Sequence, residues 1–141
     1  MAIAYSMLNV TATLDGRRVV GLMDGDNPIQ ATPGADVGTM LIGADGTSLF
    51  SQSADKSATI TIRLKPNSST HRQLIQKWQA QRAGILRGFP FDFIDSGSNE
   101  GGNGTDCFVQ KAADLTMGTN ATVREWVLVS GNWTPNIPNE S

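Results

Sequence analysis

Cysteine, histidine and tyrosine are almost missing from this sequence: Cys107, His71 and Tyr5 each occur once in 141 residues. One cysteine excludes an internal disulfide. One histidine, with no Cys or Glu at ligand spacing, excludes a zinc set of the usual kind. Cys107 stands in a strand-like run with no cue of activation, so it reads as a buried, inert thiol. No apolar run approaches the length of a membrane span, and no membrane insertion is expected. A charged segment followed by a long apolar stretch is also missing near the N-terminus, so no signal peptide and a reducing cytoplasm are expected. The formal net charge is −2, without the basic excess of a protein that coats DNA.

Motifs for chemistry are equally scarce. Asp24-x-Asp26 resembles the start of a calcium loop, but Pro28 takes the fifth position and no Glu follows at the twelfth. The glycines of residues 96–105 lack both a P-loop lysine and a surrounding βαβ unit, so they read as a mobile loop. No serine elbow is present. Asp92 and Asp95 are an odd number of residues apart on an alternating run and so point to opposite faces. No catalytic residue, cofactor or metal site is expected.

What is present is β-patterning. Residues 57–64 alternate polar and apolar, as a strand with one buried face does. Just before them lies a hairpin pattern centred on Asp45-Gly46, where glycine tolerates the positive φ of a two-residue turn. Its segment comprises Leu41, Ile42, Gly43, Ala44, Asp45, Gly46, Thr47, Ser48, Leu49 and Phe50. Its arms carry too few large apolar groups to build a core, so it is expected to project and meet another chain. Residues 3–14 read as a strand closed by Asp15-Gly16 and a returning strand. Phe89, Phe91 and Phe93 alternate along another, with Pro90 suited to an edge. Residues 107–115 and 122–129 supply the last two. Residues 131–141, with Pro135 and Pro138, are expected as an extended arm beyond a single domain whose core spans about residues 5–130.

One helix stands out. Thr70-His71-Arg72-Gln73 fits a capping box, and Gly84 suits the left-handed residue past the helix end. Leu74, Ile75 and Trp78 share a face expected to pack on the sheet. Arg72, Lys77 and Arg82 belong to an acid-free basic stretch, residues 56–87, inside an acidic protein, which points to separate surfaces. The expected fold is mainly β: two packed antiparallel sheets or a partial barrel, about eight strands, with one flanking α-helix.

Several landmarks recur in one order: Gly43-Ala44-Asp45-Gly46-Thr47, the run from Ser53 to Ile62, Asn67-Ser68-Ser69-Thr70 into the helix, Pro90-Phe91-Asp92-Phe93-Ile94-Asp95-Ser96-Gly97, and Arg124-Glu125-Trp126-Val127-Leu128. In this the chain resembles the tail tube proteins of bacteriophages with contractile tails, over most of its length. The resemblance implies a tube-forming fold shared with the haemolysin-coregulated protein of type VI secretion. It implies hexameric rings stacked into a tube, found in the virion and assembled in the host cytoplasm. It further implies sheath, tape-measure and baseplate or terminator partners, with phage DNA passing through the lumen. About 24 strands spaced ~4.8 Å apart would give a circumference of ~115 Å and a backbone diameter of ~37 Å, wide enough for a duplex. On that reading the hairpin reaches the next ring, and Asp92, Asp114 and Glu125 are lumen candidates. A type VI-like tube and a stand-alone β-sandwich binding module are the alternatives. Size in solution separates the module from a tube, and neighbouring sheath and tape-measure genes separate the two tubes.

Overall fold

The computed structural model describes residues 5–25 and 27–139. Asp26, and with it half of the Asp24-x-Asp26 pair, lies outside the described residues, as do residues 3 and 4 of the expected first strand. Nine strands and one α-helix follow in order among them: β1 (Val10–Leu14), β2 (Arg17–Arg18), β3 (Ile29–Pro33), β4 (Gly38–Ile42), β5 (Ser48–Gln52), β6 (Ala58–Leu64), α1 (Ser69–Arg82), β7 (Phe89–Asp95), β8 (Gly101–Lys111) and β9 (Arg124–Pro135). The fold is mainly β, and every pairing between the named strands is antiparallel. Seven strands form one sheet in the order β2-β1-β7-β8-β9-β6-β3, and β4-β5 form a separate two-stranded sheet. The sheet is not a closed barrel: β2 and β3 remain as its edges.

The core follows from alternation. In β6, Ala58, Ile60, Ile62 and Leu64 are buried while the residues between them are half-buried. The same period places Ala12 and Leu14 of β1, Phe89 and Phe91 of β7, and Trp126 and Leu128 of β9 in a single cluster with Leu74 of α1. Each large side chain withdrawn from water there contributes roughly 1.5–3 kcal/mol. Because residues from both halves of the sheet share this cluster, the sheet curls over itself, and α1 covers one end of the curl.

Several local expectations change. The first strand begins only at Val10, because Ser6 holds residues 7–9 in a 3-10 turn: its hydroxyl accepts from Leu8 N, and its carbonyl accepts from Asn9 N. The helix cap is Ser68, not Thr70. Ser68 Oγ accepts from Thr70 N and His71 N and donates to Val20 O. Thr70 Oγ1 instead accepts from Val20 N, and Gln73 Nε2 donates to Leu14 O rather than reaching back to the cap. The cap site is thus chosen by the neighbouring chain around Val20. At the other end Gly84 takes φ +94°, the conformation it tolerates best.

The presumed mobile loop at residues 96–105 is half strand. A turn over Asp95–Asn99 leads into β8 at Gly101, and the glycines pack: a Cβ on Gly102 would stand 2.5 Å from the Trp133 ring. The strand expected over residues 107–115 stops at Lys111, after a bulge between Val109 and Lys111, and Leu115 is exposed. At that bulge the Gln81 side chain takes the place of a ladder partner, donating to Val109 O and accepting from Val109 N. The segment after residue 130 is not a free arm either. β9 runs on to Pro135, paired with β8 (Gly102↔Pro135, Gly104↔Trp133), and residues Asn136 and Asn139 donate to Gly101 O and Ser98 O. β6 begins only opposite Ser130; Lys56 still reaches Asn132 and Trp133, but Pro135 lies beyond it and is paired along β8, where proline is tolerated.

Candidate functional site: an exposed hairpin and an open sheet face

The hairpin leaves the sheet between Pro33 of β3 and Ala58 of β6. β4 and β5 pair from Gly38↔Gln52 to Ile42↔Ser48. The connection is five residues, not two: Gly43 N donates to Thr47 O and Gly46 N to Gly43 O, with Gly46 alone among them at positive φ. Asp45 Oδ1 accepts from Thr47 Oγ1 at 2.7 Å and Thr47 N at 3.1 Å. These bonds hold its carboxyl below the ordinary 3.8, although it is fully exposed.

Every residue from 39 to 52 is exposed. Met40 pairs with Phe50 and Leu41 with Leu49, so neighbouring pairs put apolar side chains on both faces. Leu41 is 66% exposed and Phe50 52%. An isolated two-stranded hairpin is marginal in water, and apolar groups on both of its faces mark a surface for a partner. At its root lies a hollow of about 580 Å³, lined in part by Val37, Phe93, Trp133 and Pro135. The Phe93 and Trp133 rings stack there with centroids 5.7 Å apart.

The second surface is the sheet face turned away from α1 and the core. Register brings Thr13, Asp92, Asn103 and Thr134 side by side across β1, β7, β8 and β9. This is a row of hydroxyl, amide and carboxylate groups, continued on the edge strand β2 by Arg18 opposite Thr13. Thr32, Thr59 and Thr61 continue the polar character on β3 and β6. Glu125 pairs with Arg63 at 3.2 Å on the same face. Asp114 is not on a strand; it lies in the irregular segment after β8, beside Glu125 and Lys111 at a hollow of about 230 Å³. The structure therefore groups Asp114 with Glu125 and sets Asp92 apart, two strands away. Thr13, Asn103 and Thr134 escaped the sequence reading because two of them sit in segments taken for loop and tail.

The helix is held from several sides. Leu74 is fully buried, while Ile75 and Trp78 are half-buried against the core cluster. Lys77 bonds Asp15 at 2.6 Å and sits over the Phe89 ring; Arg82 lies over Trp78, 4.7 Å from the ring centroid. Burial pushes the Cys107 thiol above its ordinary 9.0, which keeps it protonated and unreactive. No group of His, Cys, Asp or Glu able to hold a metal occurs among the described residues, and no helix among them is long and apolar enough to cross a membrane. The surfaces are suited to contact between macromolecules rather than to chemistry.

Known proteins carry the same architecture. The sheath/tube terminator of an extracellular contractile injection system superposes with a TM-score of 0.69 at 10% identity, covering 96% of this chain and 99% of that one. A chain from the virion of a native gene transfer agent particle gives 0.65 at 14% identity, covering 95% and 100%. A chain of the injection system's sheath-tube complex gives 0.61 at 11%, covering 94% and 91%. No curated protein matches by sequence. A family profile described as "Bacteriophage PhiTE tail tube protein" matches residues 1–134. Matched over nearly its whole length, this chain belongs to that family, a non-enzymatic, structural tail tube component of the virion.

Proposed function

We propose that the chain is the repeating subunit of the tube wall. Six copies close into a ring, rings stack, and the hairpin from Leu41 to Phe50 bridges to the next ring. The observation that carries this reading is the hairpin itself: exposed from residue 39 to 52, apolar on both faces, and without a partner surface of its own chain. The open sheet face, with Asp92, Glu125 and neighbouring Asp114, turns to the channel. With Arg63 paired to Glu125 and Arg18 at the β2 margin, its threonines and carboxylates give a polyanion little to hold, as a conduit for DNA requires. The sheet edges at β2 and β3 are consumed in ring closure, which removes the hazard of free edges. The sheath surrounds the tube, the tape-measure protein occupies it before ejection, and terminator and baseplate proteins finish its ends.

The test removes residues 42–49 and joins the arms with a tight turn. Negative-stain micrographs should show rings but no stacked tubes. Tubes of normal length from the shortened chain would overturn the bridging role. A wild-type chain that stays monomeric at high concentration would overturn the tube reading itself.

A further inference from the structure

β6, β8 and β9 run between the same two ends of the main sheet. β6 passes from Ala58 at the hairpin root to Leu64, whose neighbour Lys65 bonds Gly21 beside the helix cap. β9 returns from Arg124 to Pro135, and β8 sets Gly101 and Gly102 at the end where β9 reaches Pro135. One end therefore carries the hairpin and its root, and the other carries α1 and the turns around it.

Charge divides between these ends. The hairpin end holds Asp36, Asp45, Asp55, Asp95 and Glu100, with Lys56 the single cation among the described residues there. Asp55 accepts from Ser57 N, and Asp95 from Gly97 N and Ser98 Oγ, so both are held by local donors rather than in ion pairs. The helix end holds Arg17, Arg18, Lys65, Arg72, Arg82 and Arg87. Its Lys77 is already paired with Asp15, and Lys111 lies beside Asp114. Arg63 is likewise paired with Glu125, and Asp24 and Asp106 are the remaining described acids on that side. A chain of nearly neutral total charge is thus acidic at one end and basic at the other.

We propose that these ends are a complementary pair, and that the acidic hairpin end of one copy seats on the basic helix end of the next. The inference rests on the tube reading above and adds what makes stacking directional. Opposite ends attract, whereas two hairpin ends or two helix ends brought together set like charge on like charge. An interface between different surfaces of identical subunits does not close, so it propagates as a stack. The apolar hairpin supplies contact area, and the charges select which end it meets. The Debye length is about 10 Å at 0.1 M salt, so the selection acts only at close approach and weakens as salt rises.

The experiment follows tube formation by the purified full-length chain, using sedimentation and negative-stain length distributions from low to high salt. Asp36→Lys with Glu100→Lys cancels the net charge of the hairpin end, and Lys65→Glu with Arg72→Glu cancels that of the helix end. All four residues are exposed, and thermal melts check that each variant folds. Each two-site variant should raise the concentration needed for stacking about tenfold, equivalent to about 1.4 kcal/mol. The chain carrying all four substitutions, with both ends near neutral, should stack no better than either two-site variant and should lose the salt dependence of stacking. Wild-type stacking should weaken with salt. Two-site variants that stack like wild type, or a four-site chain whose stacking weakens with salt as wild type does, would overturn this proposal while leaving the tube reading intact. A wild-type chain that forms no stacks at any salt would overturn both.

Discussion

Trp126 of β9 donates its indole N–H to His71 Nδ1 of α1 at 2.9 Å, with ring centroids 5.7 Å apart. Trp126 is buried, so its N–H needs this acceptor. The bond requires a neutral imidazole with its proton on Nε2.

That requirement makes the helix–sheet contact sensitive to acid. Burial, and then the Arg124 guanidinium on β9, hold the His71 pKa below its ordinary 6.5. Arg72 on the helix adds no compensating negative charge. Above 6.5 the imidazole is neutral in both folded and unfolded chains, and the contribution is complete. As pH falls below 6.5 the unfolded chain binds the proton first, so stability declines until folded His71 is protonated too. The melting temperature should drop between about pH 7 and pH 5 for this reason. His71→Asn, whose amide oxygen can still accept from Trp126, should flatten that part of the profile. An unchanged slope in the variant would show that other groups set it.

Leu74 and Trp78 lie one turn apart on α1 but differ in enclosure. Leu74→Ala opens a void in the core and should cost about 2–5 kcal/mol. Trp78 is half-buried, with Arg82 over its ring. Trp78→Ala should therefore cost less than Leu74→Ala, reversing the order expected from side-chain size alone. Urea unfolding of both variants measures the ranking, and a larger loss for Trp78→Ala would refute it.

Gly102 lies under Trp133, with an added Cβ placed 2.5 Å from the ring and 3.0 Å from Thr134 O. Gly102→Ala should displace the indole, shift its fluorescence and destabilise the fold by about 1–3 kcal/mol. Gly131, also in β9, has nothing within 4 Å of an added Cβ and no positive φ. Gly131→Ala is the control, expected to leave both readouts near wild type.

How much of this was legible in the sequence depends on whether a side chain carried the signal. β6 announced itself because Ile60, Ile62 and Leu64 alternate with polar residues and are in fact buried. The hairpin was legible from Asp45-Gly46, though its five-residue connection depends on Thr47 bonding back to Asp45 and Gly43. The strand start at Gly101–Gly104 was not legible. Glycines show no period, and the reason they form strand is Trp133, about thirty residues further on. Ser68 and Thr70 offered two hydroxyls at capping distance, and only the Val20 backbone, brought in by the fold, decides between them. Of the lumen candidates, the placement of Asp92 and Glu125 on one polar face follows from register across four strands, which no single segment encodes.

The length of the β8–β9 ladder bears on force. These two strands stay paired from Gly102↔Pro135 to Lys111↔Val127, spanning the sheet from one end to the other. A pull applied between those ends runs parallel to the strands, while the inter-strand hydrogen bonds lie across them. Such a pull loads the bonds together, in shear, instead of opening them one after another as a peeling force would. The subunit is thus mechanically stiffest along its strands, the direction in which the proposed end-to-end stacking would load it.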